Sequence, residues 1–316
     1  MIETIASVRL PVDETLNIRK NRLMPEKADG PMKRISIVTG IHGDELEGQF
    51  VCYELQRRIN SQKDKLTGIV DIYPAMNPLG IDSITRGLPA FDLDMNRLFP
   101  GNADGNMTEY LAAKIVEDVS GSDCVLDVHA SNIYLTEIPQ IRINQLHEEQ
   151  LVPLAMEANV DFIWVHGAST VLESTFAYSL NSTGTPVLVV EMGVGMRITQ
   201  ELGNQLVDGI MNLMSKLGIW QGETKAPRIP IISRDQDDVS FLNAKAGGIF
   251  IPSVKCWVLL NKGDLVGKIV DPLSGAVLDE VTAPVDGVLF TIRDFPVVNE
   301  GSLIGRLLRK EVCLHD

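Results

Sequence analysis

His42 and Glu45 lie three residues apart in the stretch T-G-I-H-G-D-E-L-E-G, residues 39–48. Where a loop turns into a helix, side chains at i and i+3 point to one side. An imidazole nitrogen and a carboxylate oxygen so placed suit Zn²⁺, which binds both at about 2.0–2.2 Å. His129, which ends the apolar run 124–128, is a candidate third ligand. Two histidines and one glutamate leave a position open for water, the arrangement of a catalytic rather than a structural zinc. Taken alone, an H-x-x-E is common, and a solitary histidine is more often held by hydrogen bonds in a core or loop. Glu191 closes the apolar run 186–190, where partial desolvation raises a carboxyl pKa towards that of a useful base. The plainer alternative is a strand-end glutamate facing solvent or pairing with a lysine. Arg86, Asn96 and Arg97 lie in a long connecting stretch. An arginine fork grips a carboxylate at two points and stabilises a developing oxyanion. The plainer alternative there is that Asp92, Asp94 and Arg97 pair with one another and order the loop.

These residues need elements to position them. Apolar periodicity predicts strands over 34–40, 68–75, 124–128, 162–165 and 187–191. It predicts helices over 45–59, 108–119, 146–158, 174–180 and 199–217. Strands alternating with helices imply a mostly parallel sheet covered on both faces. In such sheets ligands sit beyond the carboxyl ends of the strands, where His42, Glu45, His129 and Glu191 all fall. Residues 1–30 are mixed and turn-rich, and 79–107 show no clear element. Beyond about residue 227 the texture changes to short β-like runs between turn signals. The expectation is two domains, 1–225 carrying the chemistry and a smaller all-β domain over 226–316.

A chain of 316 residues suits one large and one small domain. With 45% hydrophobic and 22% charged residues it has the mix of a soluble globular protein. No apolar run approaches the roughly 20 residues of a membrane helix, so no membrane partner is expected. The start, M-I-E-T-I, lacks the form of a secretion signal. Cys52, Cys124, Cys256 and Cys313 are scattered without a C-x-x-C pair, as free thiols in a reducing cytoplasm would be. A net charge of −14 argues against a nucleic-acid partner. It does not exclude a small anionic substrate, since a few arginines in one pocket reverse the local field. The oligomeric state, a homo-oligomer included, stays open.

The order H-x-x-E, N-P-x-G, R…D-M-N-R-x-F-P-G, D-V-H-A, V-E-M-G over about residues 33–220 resembles the succinylglutamate desuccinylase/aspartoacylase family, within the wider group of zinc carboxypeptidase-like folds. The resemblance implies an α/β fold with a mixed, mostly parallel sheet flanked by helices and a C-terminal domain of barrel-sandwich type. It implies one zinc per chain on His42, Glu45 and His129, and Glu191 as general base on the activated water. Arg86 would polarise the scissile carbonyl, and Asn96 and Arg97 would bind a substrate carboxylate. Asp127 would sit near the metal or fix its strand. Read from the stretch itself, Asp44 on the turn would orient His42 or stabilise the helix start, and Glu47 would be a solvated first-turn residue. In two respects the chain departs from the family. The spacing from Arg86 to the Asn-Arg pair is longer than in aspartoacylases. Those enzymes also bring a tyrosine from the C-terminal domain to the substrate, whereas all five tyrosines here precede the β-rich tail. N-acetylaspartate specificity is therefore not expected.

The tail also resembles a biotinyl/lipoyl-type carrier, but its hairpin tip over 271–275 holds no lysine, and Lys268 falls in a predicted strand. A role in covering the mouth of the zinc site fits better. The expected function is zinc-dependent cleavage of the amide bond in a small N-acyl amino acid or related amide, with N-acetyl-diaminobutyrate deacetylation one option. A zinc carboxypeptidase acting on peptides would use the same metal site. All three ligand positions and Glu191 are present, which argues against a non-catalytic binding protein.

Overall fold

A computed structural model describes residues 1–27, 30–89, 93–167 and 173–313. The chain opens with an antiparallel hairpin, β1 (Ile2–Arg9) and β2 (Thr15–Leu23). This replaces the turn-rich segment expected there. Leu16, Ile18 and Lys20 alternate into the interior, and a buried lysine hides that period of two in the sequence. Next come β3 (Arg34–Thr39), α1 (Glu47–Ser61), β4 (Ile69–Tyr73), α2 (Pro78–Ser83), α3 (Met107–Val119) and β5 (Cys124–Ala130). They are followed by β6 (Leu135–Asn144), α4 (Glu148–Ala155), β7 (Phe162–His166), α5 (Phe176–Asn181), β8 (Val187–Gly193) and α6 (Gln200–Lys216). The remainder is β9 (Ile231–Ser233), β10 (Val239–Asn243), β11 (Gly248–Pro252), β12 (Val258–Leu260), β13 (Leu265–Val270), β14 (Val277–Thr282), β15 (Gly287–Arg293), β16 (Val297–Val298), β17 (Leu303–Arg309) and the short α7 (Lys310–Cys313).

Among the described residues, a mixed sheet of 13 strands organises the molecule. Its centre, β4-β3-β5-β8, is parallel, and β6 joins β8 antiparallel. Helices α1, α4 and α6 bury one face through Val51, Leu55, Leu151, Leu206 and Ile210. Helices α3 and α5 and the N-terminal hairpin cover the other. On either side of residues 90–92, the stretch 79–107 holds short elements that were not expected. Asn77 caps α2 by accepting the Gly80 N–H, with Pro78 in the first turn. Asp94 caps a single 3₁₀ turn, Met95–Arg97.

The large sheet does not stop at residue 225. Strand β9 pairs with β7, and β15 pairs with the start of β6, carrying β17, β10 and β12 with it. The separate antiparallel sheet β14-β13-β11-β16 packs over them around Phe250, Val266, Ile269, Leu289 and Leu307. Lys268 lies inside β13, paired with Glu280 at 3.0 Å, and is no carrier lysine at a tip.

Candidate metal centre and active site

The loop after β3 turns tightly between β3 and α2. A Cβ on Gly43 would lie 2.0 Å from the Gly80 carbonyl carbon, and one on Gly48 would lie 1.9 Å from Thr39 Oγ1, so both must be glycine. His42 and Glu45 are thereby held inward, and His129 reaches the same point from β5, which runs parallel beside β3. Glu45 Oε1 is 2.8 Å from His42 Nδ1, and Glu45 Oε2 is 2.9 Å from His129 Nδ1. The two Nδ1 atoms are 3.2 Å apart. All three residues are buried. The far ring nitrogens also face carboxylates, His42 Nε2 at 3.1 Å from Asp94 Oδ1 and His129 Nε2 at 3.1 Å from Asp127 Oδ1. Carboxylates behind histidine ligands orient the rings and raise their basicity.

The electrostatics ask for positive charge at this point. Burial opposes protonation of His129, yet Asp127 and Glu45 outweigh it and hold His129 well above its ordinary 6.5. Burial likewise opposes His42, and Glu45 and Asp94 win. Glu45 resists its own burial through His42 and His129 and stays below the ordinary carboxylate range. A carboxylate and two imidazoles converging on one buried point fit a cation of borderline softness.

Glu191 lies beside His129 in the parallel register of β5 and β8. Burial pushes its carboxyl above 4.5, partly offset by Arg142. Arg86 places Nη1 2.9 Å from Glu45 Oε1 and is 42% exposed, so its guanidinium borders both the donor cluster and the opening. Asn96 Oδ1 accepts the Phe176 N–H, leaving its amide nitrogen to donate, and Arg97 Nη1 donates to the Asn96 carbonyl. All seven candidate residues line one cavity of about 510 Å³, a size suited to a small molecule.

Three side chains behave differently from expectation. Asp94 engages His42 and Arg86 rather than Arg97, and Asp92 lies outside the described residues. The His42 ring nitrogens face Glu45 and Asp94 rather than Asp44, whose Oδ1 is buried without a hydrogen-bond partner. Glu47 is fully buried rather than solvated, because the loop after β8 folds over the start of α1 and the Thr199 N–H donates to Glu47 Oε2 at 2.7 Å. Sequence reasoning also missed Glu137 and Arg142 on β6, Tyr178 on α5 and Arg306 on β17, which line the same cavity. The only hint of the first two was the interrupted alternation of L-T-E-I-P-Q-I-R-I-N.

Comparison with known proteins places the chain in a family. Residues 31–217 match the family profile described as the succinylglutamate desuccinylase/aspartoacylase catalytic domain. An N-alpha-acetyl-L-2,4-diaminobutyric acid deacetylase of Halomonas elongata is 29% identical over 290 residues, 88% of this chain and 82% of that protein. The product-bound ectoine utilization protein of Ruegeria pomeroyi superposes with a TM-score of 0.80 at 19% identity, covering 96% of this chain and 93% of the other. A succinylglutamate desuccinylase/aspartoacylase of Rhodobacter sphaeroides gives a TM-score of 0.80 at 22% identity, covering 98% and 95%. These structures share the fold. The class is thereby defined: a hydrolytic deacylase acting on amide bonds. The chain belongs to the succinylglutamate desuccinylase/aspartoacylase family. Among the described residues no helix is long and apolar enough to cross a membrane.

Proposed function

We propose that the protein is a zinc-dependent deacylase of small Nα-acyl amino acids that carry one carboxylate and an uncharged acyl group. The observation carrying this reading is the convergence of His42, Glu45 and His129 in the cavity that also holds Glu191 and Arg97. A zinc ion bound there supplies Lewis acidity, polarising a carbonyl and making water a stronger acid. Glu191 takes the proton of the attacking water and passes it to the leaving amine nitrogen. Arg86 stabilises the charge that develops on the carbonyl oxygen. Asn96 and Arg97 hold the substrate carboxylate, which fixes the amide beside Glu191.

The charge pattern narrows the substrate. Arg86, Arg142 and Arg306 each pair with a carboxylate of the protein. Arg97 is, among the described residues, the cavity arginine for which no such pair occurs. One guanidinium with no carboxylate partner among the described residues suits one substrate carboxylate. An N-acetyl amino acid such as Nα-acetyl-L-2,4-diaminobutyrate, the compound in the Halomonas protein's name, meets this condition. An N-succinyl amino acid adds a carboxylate for which the described residues offer no second unpaired arginine in the cavity, and the cavity volume favours a small amide over a peptide. Free thiols at Cys52, Cys124 and Cys256 support a reducing, cytoplasmic setting.

A hydrolysis screen of the zinc-loaded protein against N-acetyl amino acids, N-succinyl amino acids and short peptides tests the reading. Preferred turnover of N-acetyl substrates is expected. Preference for N-succinyl substrates would overturn the acyl assignment, and preference for peptides would make the protein a carboxypeptidase.

A further inference from the structure

The family motifs account for Glu191 but not for what holds it. Strand β6 lies antiparallel to β8 with Gln140 opposite Glu191 and Arg142 opposite Val189, so Arg142 and Glu191 share one face of the sheet. Arg142 Nη1 lies 3.3 Å from Glu191 Oε1. Its Nη2 donates to both oxygens of Glu137, at 3.2 and 3.1 Å. Glu137 and Arg142 are five residues apart, which on a regular strand would put them on opposite faces. The register shift between Glu137 and Gln140, around Pro139, brings both to the cavity. Glu137 is 1% exposed and also accepts Thr291 Oγ1 from β15 and Arg306 from β17. Trp164 flanks the guanidinium, its ring centroid 5.9 Å from Arg142 Cζ.

We propose that Arg142 is a positioning residue for Glu191, held in turn by Glu137, and that the C-terminal strands act on the reaction through Arg306 and Thr291. The proposal rests on Glu191 being the general base. Thr291 and Arg306 fix the Glu137 carboxylate, Glu137 fixes the guanidinium fork, and the fork leaves Glu191 one placement beside His129. A base displaced by about 1 Å costs on the order of 100-fold in rate. The bulge at Pro139 is therefore a functional feature of β6.

The test uses the zinc-loaded protein and Nα-acetyl-L-2,4-diaminobutyrate as probe substrate, with variants Arg142→Lys, Arg142→Gln and Glu191→Gln and both double variants. Arg142→Lys keeps the charge and loses the fork. It should lower kcat roughly 10-fold, and Arg142→Gln roughly 100-fold, with KM and zinc content little changed. In the Glu191→Gln background neither should lower kcat further, because Arg142 acts through Glu191. Should Arg142→Gln fail to fold with Glu137 left unpaired, Arg142→Lys and Glu137→Gln/Arg142→Gln carry the same comparison. A kcat unchanged in the folded Arg142 variants overturns the proposal, as does a loss that persists undiminished in the Glu191→Gln background. Normal turnover in Glu191→Gln alone overturns the base assignment instead, so the two failures are distinguishable.

Discussion

At the scale of single residues the centre is three donors at mutual distances of 2.8–3.2 Å. Each histidine has a carboxylate behind it, and the group is too buried for water to neutralise. Removing one donor leaves the others charged and unmatched. Zinc content near one per chain is expected for the native protein, with loss in His42→Ala and His129→Ala. Metal analysis finding full occupancy in both variants would remove the ligand assignment. Glu191→Gln should retain zinc and lose on the order of 10²–10⁴ in kcat, and an unchanged kcat would exclude the glutamate as base. His42, Glu45, His129 and Glu191 were legible because each follows or ends a regular run, and Arg86, Asn96 and Arg97 only through the family motif that contains them; the structure gathers all seven at one cavity. Arg142, Glu137 and Arg306 were not. Their role depends on which strands lie side by side, β6 against β8 and β15 against β6, and linear spacing carries no record of that. The burial of Glu47 was hidden for the same reason, since its partner Thr199 lies 152 residues away.

At the scale of elements, helix α1 follows the loop that holds two of the donors, so its seating on the sheet decides where they sit. Besides its apolar stripe, α1 is tied to α6 through charge. Glu54 accepts both Arg57 Nε and Nη2 at 2.7 Å and Arg58 Nε at 2.8 Å. Arg58 continues to Asn204 at 2.7 Å and to Asp208. The Arg57 and Arg58 guanidiniums outweigh burial and pull the Glu54 carboxyl from 4.5 to about 2. A depressed folded-state pKa stabilises the protein above the unfolded value and loses that contribution as pH falls through the folded one. Wild type should therefore be more resistant to urea than Glu54→Gln at pH 7, with the gap closing as pH falls from 4.5 to about 2. A gap independent of pH across that window would show that Glu54 acts through packing rather than charge. The helices were read from their 3.6-residue period with ends displaced by no more than three residues. Strand β6 escaped notice because Pro139 and two charged side chains break its alternation, the same irregularity that aims Glu137 at the cavity.

At the scale of the whole molecule, the sequence divides at about residue 225 by texture, while the hydrogen bonding runs on. Strand β6 pairs with β7 along its second half and with β15 at its start, so one strand serves both segments. Phe290 of β15 packs against Phe162 and Trp164 of β7, ring centroids 5.0 and 6.1 Å apart. Arg306 crosses the same boundary into the cavity wall. A division into 1–225 and 226–316 is therefore proposed as two modules that fold as one unit, and truncation tests it. The fragment 1–225 would expose the edges of β6 and β7 as unpaired donors and acceptors, a template for aggregation. It would also strip Glu137 of Arg306 and Thr291. Expressed alone it should be insoluble or lack a cooperative unfolding transition, and it should not retain zinc. A soluble fragment that unfolds cooperatively and holds one zinc would show the catalytic module to be autonomous, and would confine the C-terminal strands to covering the cavity.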